Sequence, residues 1–144
     1  MYALQDDQVI IRHRITNRGR QPVVVTPYTH PEWNAALFDG DACLQMRTGA
    51  GAWHSQPLNP EKRSYRNLEF AGDAKPRGGW RIVTADGTLA IDESFDDAAV
   101  TACRLNVSPA RGNVNFELAF RPTTIAPKAT VEIATSWRIG SPAD

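Results

Sequence analysis

Residues 131–139 carry Val131, Ile133, Thr135, Trp137 and Ile139 at every second position. A helix would scatter those five around its circumference, whereas the period of two in an extended chain gathers them on one face. Residues 8–16 repeat the pattern. Val9, Ile11, His13 and Ile15 fall on one side, and Ile10, Arg12, Arg14 and Thr16 fall on the other. Both runs read as strands, and the residues between them supply more. Residues 80–84 and 88–92 flank the turn Ala85-Asp86-Gly87, and residues 100–107 and 113–120 form two further strands. Asn17-Arg18-Gly19-Arg20 has the composition of a tight reversal. Residues 8–27 therefore read as a hairpin whose return strand, 21–26, starts at Pro22.

Between residues 38 and 79 glycine and proline punctuate short apolar pieces, which predicts a loop-rich excursion with strands near 42–46 and 64–70. Residues 92–99 give the one weak helical window, and residues 125–130 a turn before the last strand. Strands at short spacing without a helical period predict an all-β fold, an antiparallel β-sandwich. At 144 residues the chain has the length of a single domain spanning 1–144.

A formal net charge of zero gives no electrostatic reason to bind nucleic acid or an anionic membrane. No apolar run reaches the roughly 18 residues of a membrane-spanning helix. Met1-Tyr2-Ala3-Leu4-Gln5-Asp6-Asp7 lacks the basic and apolar regions of a signal peptide, so a cytoplasmic location is expected. Cys43 and Cys103 match no metal spacing and are expected as reduced thiols.

The densest chemistry lies where a β-branched run, Pro22-Val23-Val24-Val25-Thr26, leads into Thr29-His30-Pro31-Glu32-Trp33-Asn34. Pro31 biases His30 toward extended geometry, and an imidazole exchanges a proton near neutrality. An indole such as Trp33 can stack on a sugar ring, while Glu32 and Asn34 can bond its hydroxyls. The competing role for His30 is that of an ordinary hydrogen-bonded loop histidine. Glu117 interrupts an apolar strand: Phe116, Leu118 and Phe120 share one face, and Glu117 projects from the other with Asn115 and Ala119. On a solvent-facing sheet it is a plain carboxylate; on a concave face it can serve as a general base. His13, on the apolar side of its strand, is expected in the core or at an edge, and His54 on a loop surface. Asp6-Asp7 and Asp96-Asp97 read as turn residues. No metal site, nucleotide loop or serine-nucleophile motif is present in the sequence, and no cofactor is expected.

These residues together resemble the aldose 1-epimerase, or galactose mutarotase-like, family. There a strand pair leads to an Asn/Thr-His-x-aromatic-aromatic-Asn motif, here Ile11 to Asn17, Pro22 to Val25 and Thr29 to Asn34. Val114-Asn115-Phe116-Glu117 followed by Thr124 to Ile133 resembles the closing strands, with Lys128 where the family prefers glycine. The resemblance covers the family's C-terminal half. It implies part of a large β-sandwich (supersandwich) with a sugar on its concave face, His30 as general acid and Glu117 as general base. Such a pair would open and reclose an aldose ring to interconvert anomers. The resemblance also implies another domain or subunit that completes the fold. The alternative is a non-catalytic, immunoglobulin-like accessory module, in which the same residues only turn strands.

Overall fold

The structure is a computed structural model. It describes residues 1–34, 42–47, 49, 51–58, 66–108 and 112–142, with the backbone alone at 66, 67 and 108. The strands are β1 (Tyr2–Gln5), β2 (Gln8–Thr16), β3 (Val23–Val25), β4 (Tyr28–Thr29), β5 (Glu32–Asn34), β6 (Cys43–Arg47) and β7 (Trp53–Pro57). They continue with β8 (Arg66–Ala71), β9 (Gly79–Val83), β10 (Ala90–Phe95), β11 (Val100–Ser108), β12 (Asn113–Phe120), β13 (Thr123–Ile125) and β14 (Thr130–Gly140). A seven-stranded antiparallel sheet runs β1-β2-β14-β10-β9-β6-β7. Facing it is a smaller sheet, β4-β12-β11-β8, with β5 also paired to β12. β3 and β13 form a separate ribbon. The all-β antiparallel sandwich expected from alternation is the observed fold.

The core lies where the smaller sheet covers β14, β10, β9 and β6. Its centre is an aromatic chain in which edges meet faces. Phe116 stands 4.9 Å from Trp80 and 5.6 Å from Trp137, both nearly perpendicular. All five residues of β9 are buried, because that strand is covered on both faces. Its inward Trp80 packs on Phe116, while its outward Arg81 lies 4.1 Å from the Trp53 ring. Glu93 is buried in the core, where Trp80 Nε1 donates to it at 2.6 Å. Loss of water raises its pKa from 4.5 to about 8. Neither Cys43 nor Cys103 is in a disulfide.

The other end of the larger sheet is open. Tyr2 and Leu4 of β1 are aligned with Ile11 and Val9 of β2, which lie beside Thr135 and Trp137 of β14. Tyr2 and Leu4 are more than three-quarters exposed, and Val9 and Ile139 are also exposed.

Several local expectations change. Residues 8–27 do not form a hairpin: β2 pairs with β1 and β14, and β3 pairs with β13. The Asn17 side chain accounts for the difference. Its buried amide donates to Gln21 O at 2.8 Å and Ile125 O at 2.9 Å and accepts from Gly19 N, tying the chain where it leaves one sheet for the other. The weak helical window is strand as far as Phe95, followed by a turn in which Asp96 accepts from Ala98 N. The 38–79 excursion contains β6, β7 and β8, one strand more than expected; its residues 38–41 and 59–65 lie outside the described set. His13 is exposed and not in the core; it lies where β2 has run past β1 and pairs with β14 alone, a local edge of the sheet. His54 lies exposed on β7 rather than on a loop.

Candidate functional site

The candidate site is built on the outer face of the smaller sheet. Alternation along β12 sends Val114, Phe116, Leu118 and Phe120 into the core and leaves Asn115 and Glu117 on the opposite face. Beside β12 the chain forms two short strands, β4 and β5, interrupted at His30-Pro31. The edge continues across the gap through Phe120 N to Pro27 O at 3.0 Å and Phe116 N to Pro31 O at 3.2 Å. This break holds His30 above the Glu117 side of β12.

His30 Nε2 lies 3.4 Å from Glu117 Oε1 and 2.6 Å from Asn115 Nδ2. Tyr28 OH donates to the other Glu117 oxygen, Oε2. The Tyr28 and His30 rings meet edge to face with centroids 6.4 Å apart. The two titratable groups differ sharply in exposure: the Glu117 side chain is 8% exposed and that of His30 is 51% exposed. Burial disfavours the carboxylate and raises the Glu117 pKa, making it a stronger base when it ionises. On the next strand Arg104 is in register with Glu117, lies 5.8 Å from the Tyr28 ring and donates to Glu69 at 2.6 Å. Asn115 and Asn106 are neighbours across β12 and β11, and the buried Oδ1 of each has no hydrogen-bond partner among the described residues. The face thus combines a histidine–carboxylate pair with amide groups able to bond hydroxyls.

Glu32 and Asn34, both exposed, are aligned with Asn115 and Asn113 and continue this face along β5. Trp33 is not brought to it. It packs inward with its ring 5.2 Å from Trp137, and its buried Nε1 has no partner among the described residues. Period-two alternation separates an inward Trp33 from an outward Glu32. Tyr28 was legible as a same-face neighbour of His30 two residues away, but its bond to Glu117 had no sequence signal. The bond from Asn115 to His30 had none either.

His30 also stands at the rim of a cleft of about 720 Å³ between the sheets. Tyr28, His30 and Pro31 form one wall; Ile11, His13 and Trp137 contribute to the other.

No protein-family model and no curated protein sequence matches the chain. Solved structures do match. The Slr1438 protein from Synechocystis sp. PCC 6803 superposes with a TM-score of 0.74 at 16% identity, over 98% of this chain and 53% of that one. A putative aldose 1-epimerase from Escherichia coli K12 gives 0.70 at 16% identity, over 98% of this chain and 59% of that one. A galactose mutarotase-like protein from Clostridium acetobutylicum gives 0.71 at 9% identity, over 98% and 55%. The fold is therefore the galactose mutarotase-like β-sandwich, and the chain spans between half and two-thirds of the length of these structures.

Proposed function

We propose that residues 1–144 form one β-sandwich unit that binds an aldose on the outer face of the smaller sheet and interconverts its anomers. The observation that carries this is the approach of His30 to a buried Glu117 at 3.4 Å, from segments far apart in the chain. Glu117 takes the proton of the anomeric hydroxyl while protonated His30 gives one to the ring oxygen. The C1–O5 bond breaks to the open aldehyde, and rotation about C1–C2 exposes its other face. The same two groups return their protons in reverse as the ring closes. Tyr28 orients Glu117, Asn115 receives the imidazole once it has given up its proton, and Glu32 and Asn34 bond outlying hydroxyls. The chemistry needs no cofactor. The unbridged cysteines Cys43 and Cys103 fit a reducing, cytoplasmic setting. A further polypeptide, domain or subunit, covers the open end of the larger sheet.

Polarimetric equilibration of freshly dissolved aldose anomers tests the catalytic role. Wild type is expected to accelerate equilibration, with losses of about 100-fold or more in His30→Ala and Glu117→Gln. Equal rates for all three proteins would remove the catalytic role and leave sugar binding alone, to be read from chemical shifts of the Asn115 and Asn34 side-chain amides.

A further inference from the structure

We infer that the outer face of the larger sheet carries a second binding site, a recess among Arg47, Arg81, Arg138 and Trp53 that holds the phosphate group of a small molecule. The inference is independent of the role given to His30 and Glu117, which lie on the opposite side of the sandwich.

Strand register builds the site. Arg138, Asp92, Arg81 and Gln45 stand in one row across β14, β10, β9 and β6, on the face turned away from the core. The next row on that face runs Ser136, Ser94, Gly79. The β6 position beyond Met46 is Arg47, which is aligned with Trp53 of β7. One row is therefore filled with long side chains, and the middle of the next is nearly bare. A Cβ at Gly79 would meet Ser94 Oγ at 3.7 Å, so the glycine leaves space beside that hydroxyl. The result is a recess of about 140 Å³, lined by both serines, the three arginines and Trp53.

The recess carries a surplus of positive charge in a chain whose net charge is zero. Asp92 is the one carboxylate in its lining, and it is committed to Arg138, which donates to Oδ2 from Nε at 3.1 Å and from Nη2 at 2.9 Å. Asp7, largely exposed, reaches Arg138 from outside at 3.5 Å, a pair weakened by solvent. Arg81 is buried and donates to neutral Gln45 at 2.6 Å. It approaches Asp92 Oδ1 only to 4.0 Å, and that oxygen accepts no hydrogen bond among the described residues. Arg47 has no ion pair among the described residues.

The cations are also held in place without a ligand. The guanidinium carbons of Arg47 and Arg81 lie 5.0 and 4.1 Å from the centre of the Trp53 ring, so an indole takes the place of a counter-ion. Like charges gathered in this way gain from an anion set among them, and guanidinium forks match the oxygens of a phosphate. Ser94 and Ser136 add two hydroxyl donors. Phosphate suits the recess better than carboxylate does. Its oxygens accept from several directions, and its charge of about −1.5 to −2 near neutral pH answers the local surplus. The recess falls short of the roughly 300 Å³ of a pocket for a whole small molecule, so it grips a terminal group and leaves the remainder outside.

The test is an NMR titration of the full chain with inorganic phosphate and with glycerol phosphate, read at the Trp53 indole N–H against potassium chloride of equal ionic strength. Both probes are expected to shift that resonance saturably, with a Kd of about 1 mM or tighter. Arg47→Gln, at an exposed position, is expected to weaken binding at least about tenfold, and Ser136→Ala about threefold. Arg20→Gln removes the same charge from the turn beyond the far end of β2 and is expected to change nothing. Far-UV circular dichroism verifies folding, and Ser136→Ala carries the test if Arg47→Gln does not fold. Tighter binding of the ester assigns the site to a phosphate monoester; tighter binding of inorganic phosphate assigns it to the free ion. Shifts that chloride reproduces, shifts that do not saturate, or equal losses in Arg47→Gln and Arg20→Gln overturn the inference. Acetate binding as tightly as phosphate overturns it too. So does a phosphate response at the Asn115 side-chain amide in place of Trp53, which would put the anion on the opposite face.

Discussion

The two ends of the seven-stranded sheet obey the same alternation and meet different fates. At the β10-β9-β6 end, inward residues such as Ile91, Trp80 and Leu44 have almost no exposure. At the β1-β2 end, residues of equal apolarity face solvent. Tyr2 and Leu4 are as suited to a core as Ile82 or Leu44, and they lack only an opposing layer. A period of two therefore specifies which side of a strand faces inward, but not whether anything lies opposite. The closed end is held by side-chain packing. The open end is held by backbone ladders and by polar locks at Asn17 and Lys128, where the chain changes sheet.

The sharpest way to break this contrast is truncation. Trp80→Ala removes the indole at the centre of the aromatic chain and leaves buried Glu93 without its donor. A loss of about 3–5 kcal/mol is expected in denaturant unfolding. Leu4→Ala, at an exposed position, should stay within about 0.5 kcal/mol of wild type. Comparable losses at the two sites would mean that the open end contributes its own packing.

The closed end also has a pH signature. The folded Glu93 pKa of about 8 lies above the ordinary 4.5, so between those values the folded state keeps a proton that the unfolded state has released. Stability contributed by the neutral carboxyl is therefore complete below pH 4.5 and falls as pH rises through this window, levelling off above about 8. The total change is on the order of a few kcal/mol. Glu93→Gln should flatten this slope in unfolding curves taken from pH 5 to 9. A slope unchanged by the substitution would assign it to other groups.

At Asn17, where the open end meets the β3–β13 ribbon, the expected effects are smaller. Asn17→Ala strips the carbonyls of Gln21 and Ile125 of their buried donor and is expected to cost about 1–3 kcal/mol. Hydrogen exchange should report the loss locally, with faster exchange in β3 and β13 and little change in β9. Uniform acceleration in β9 as well would show that the Asn17 contact and the aromatic core open as one unit.

Asn17 also shows where local sequence ceased to be informative. Asn17-Arg18-Gly19-Arg20 has the chemistry of a reversal, and in isolation a hairpin is its natural product. The competing partner is Ile125 O, 108 residues away, which no local pattern reveals. Strand positions at 8–16, 113–120 and 131–139 were legible because period-two alternation is a local property. Their pairing was not, since β2 joins β14 across the whole chain. The site divides along the same line. Alternation alone placed Glu117 opposite the core, and Pro31 suggested how His30 would be held. The 3.4 Å separation depends on β4 and β5 docking beside β12, a long-range event. Trp33 was grouped with its neighbours by chemistry, although an extended chain turns it away from both Glu32 and Asn34.

The smallest effect expected concerns Lys128, where the resemblance anticipated glycine. Its φ is +63°, in the left-handed region that a side chain disfavours by about 1–2 kcal/mol. The turn requires that geometry, because Lys128 N donates to Asn17 O at 2.8 Å and Ala129 N donates to Ala126 O at 3.1 Å. Lysine recovers part of the strain by donating from Nζ to Arg18 O at 2.6 Å, an exposed contact of modest worth. Lys128→Gly removes both the strain and that contact. The balance favours glycine by about 0.5–1 kcal/mol, seen as a rise in Tm. Lys128→Ala separates the terms: it keeps the strained φ, loses the Nζ contact and should fall below wild type. If alanine instead matches lysine, the Nζ contact contributes nothing, and the open end is locked at this point by its backbone bonds alone.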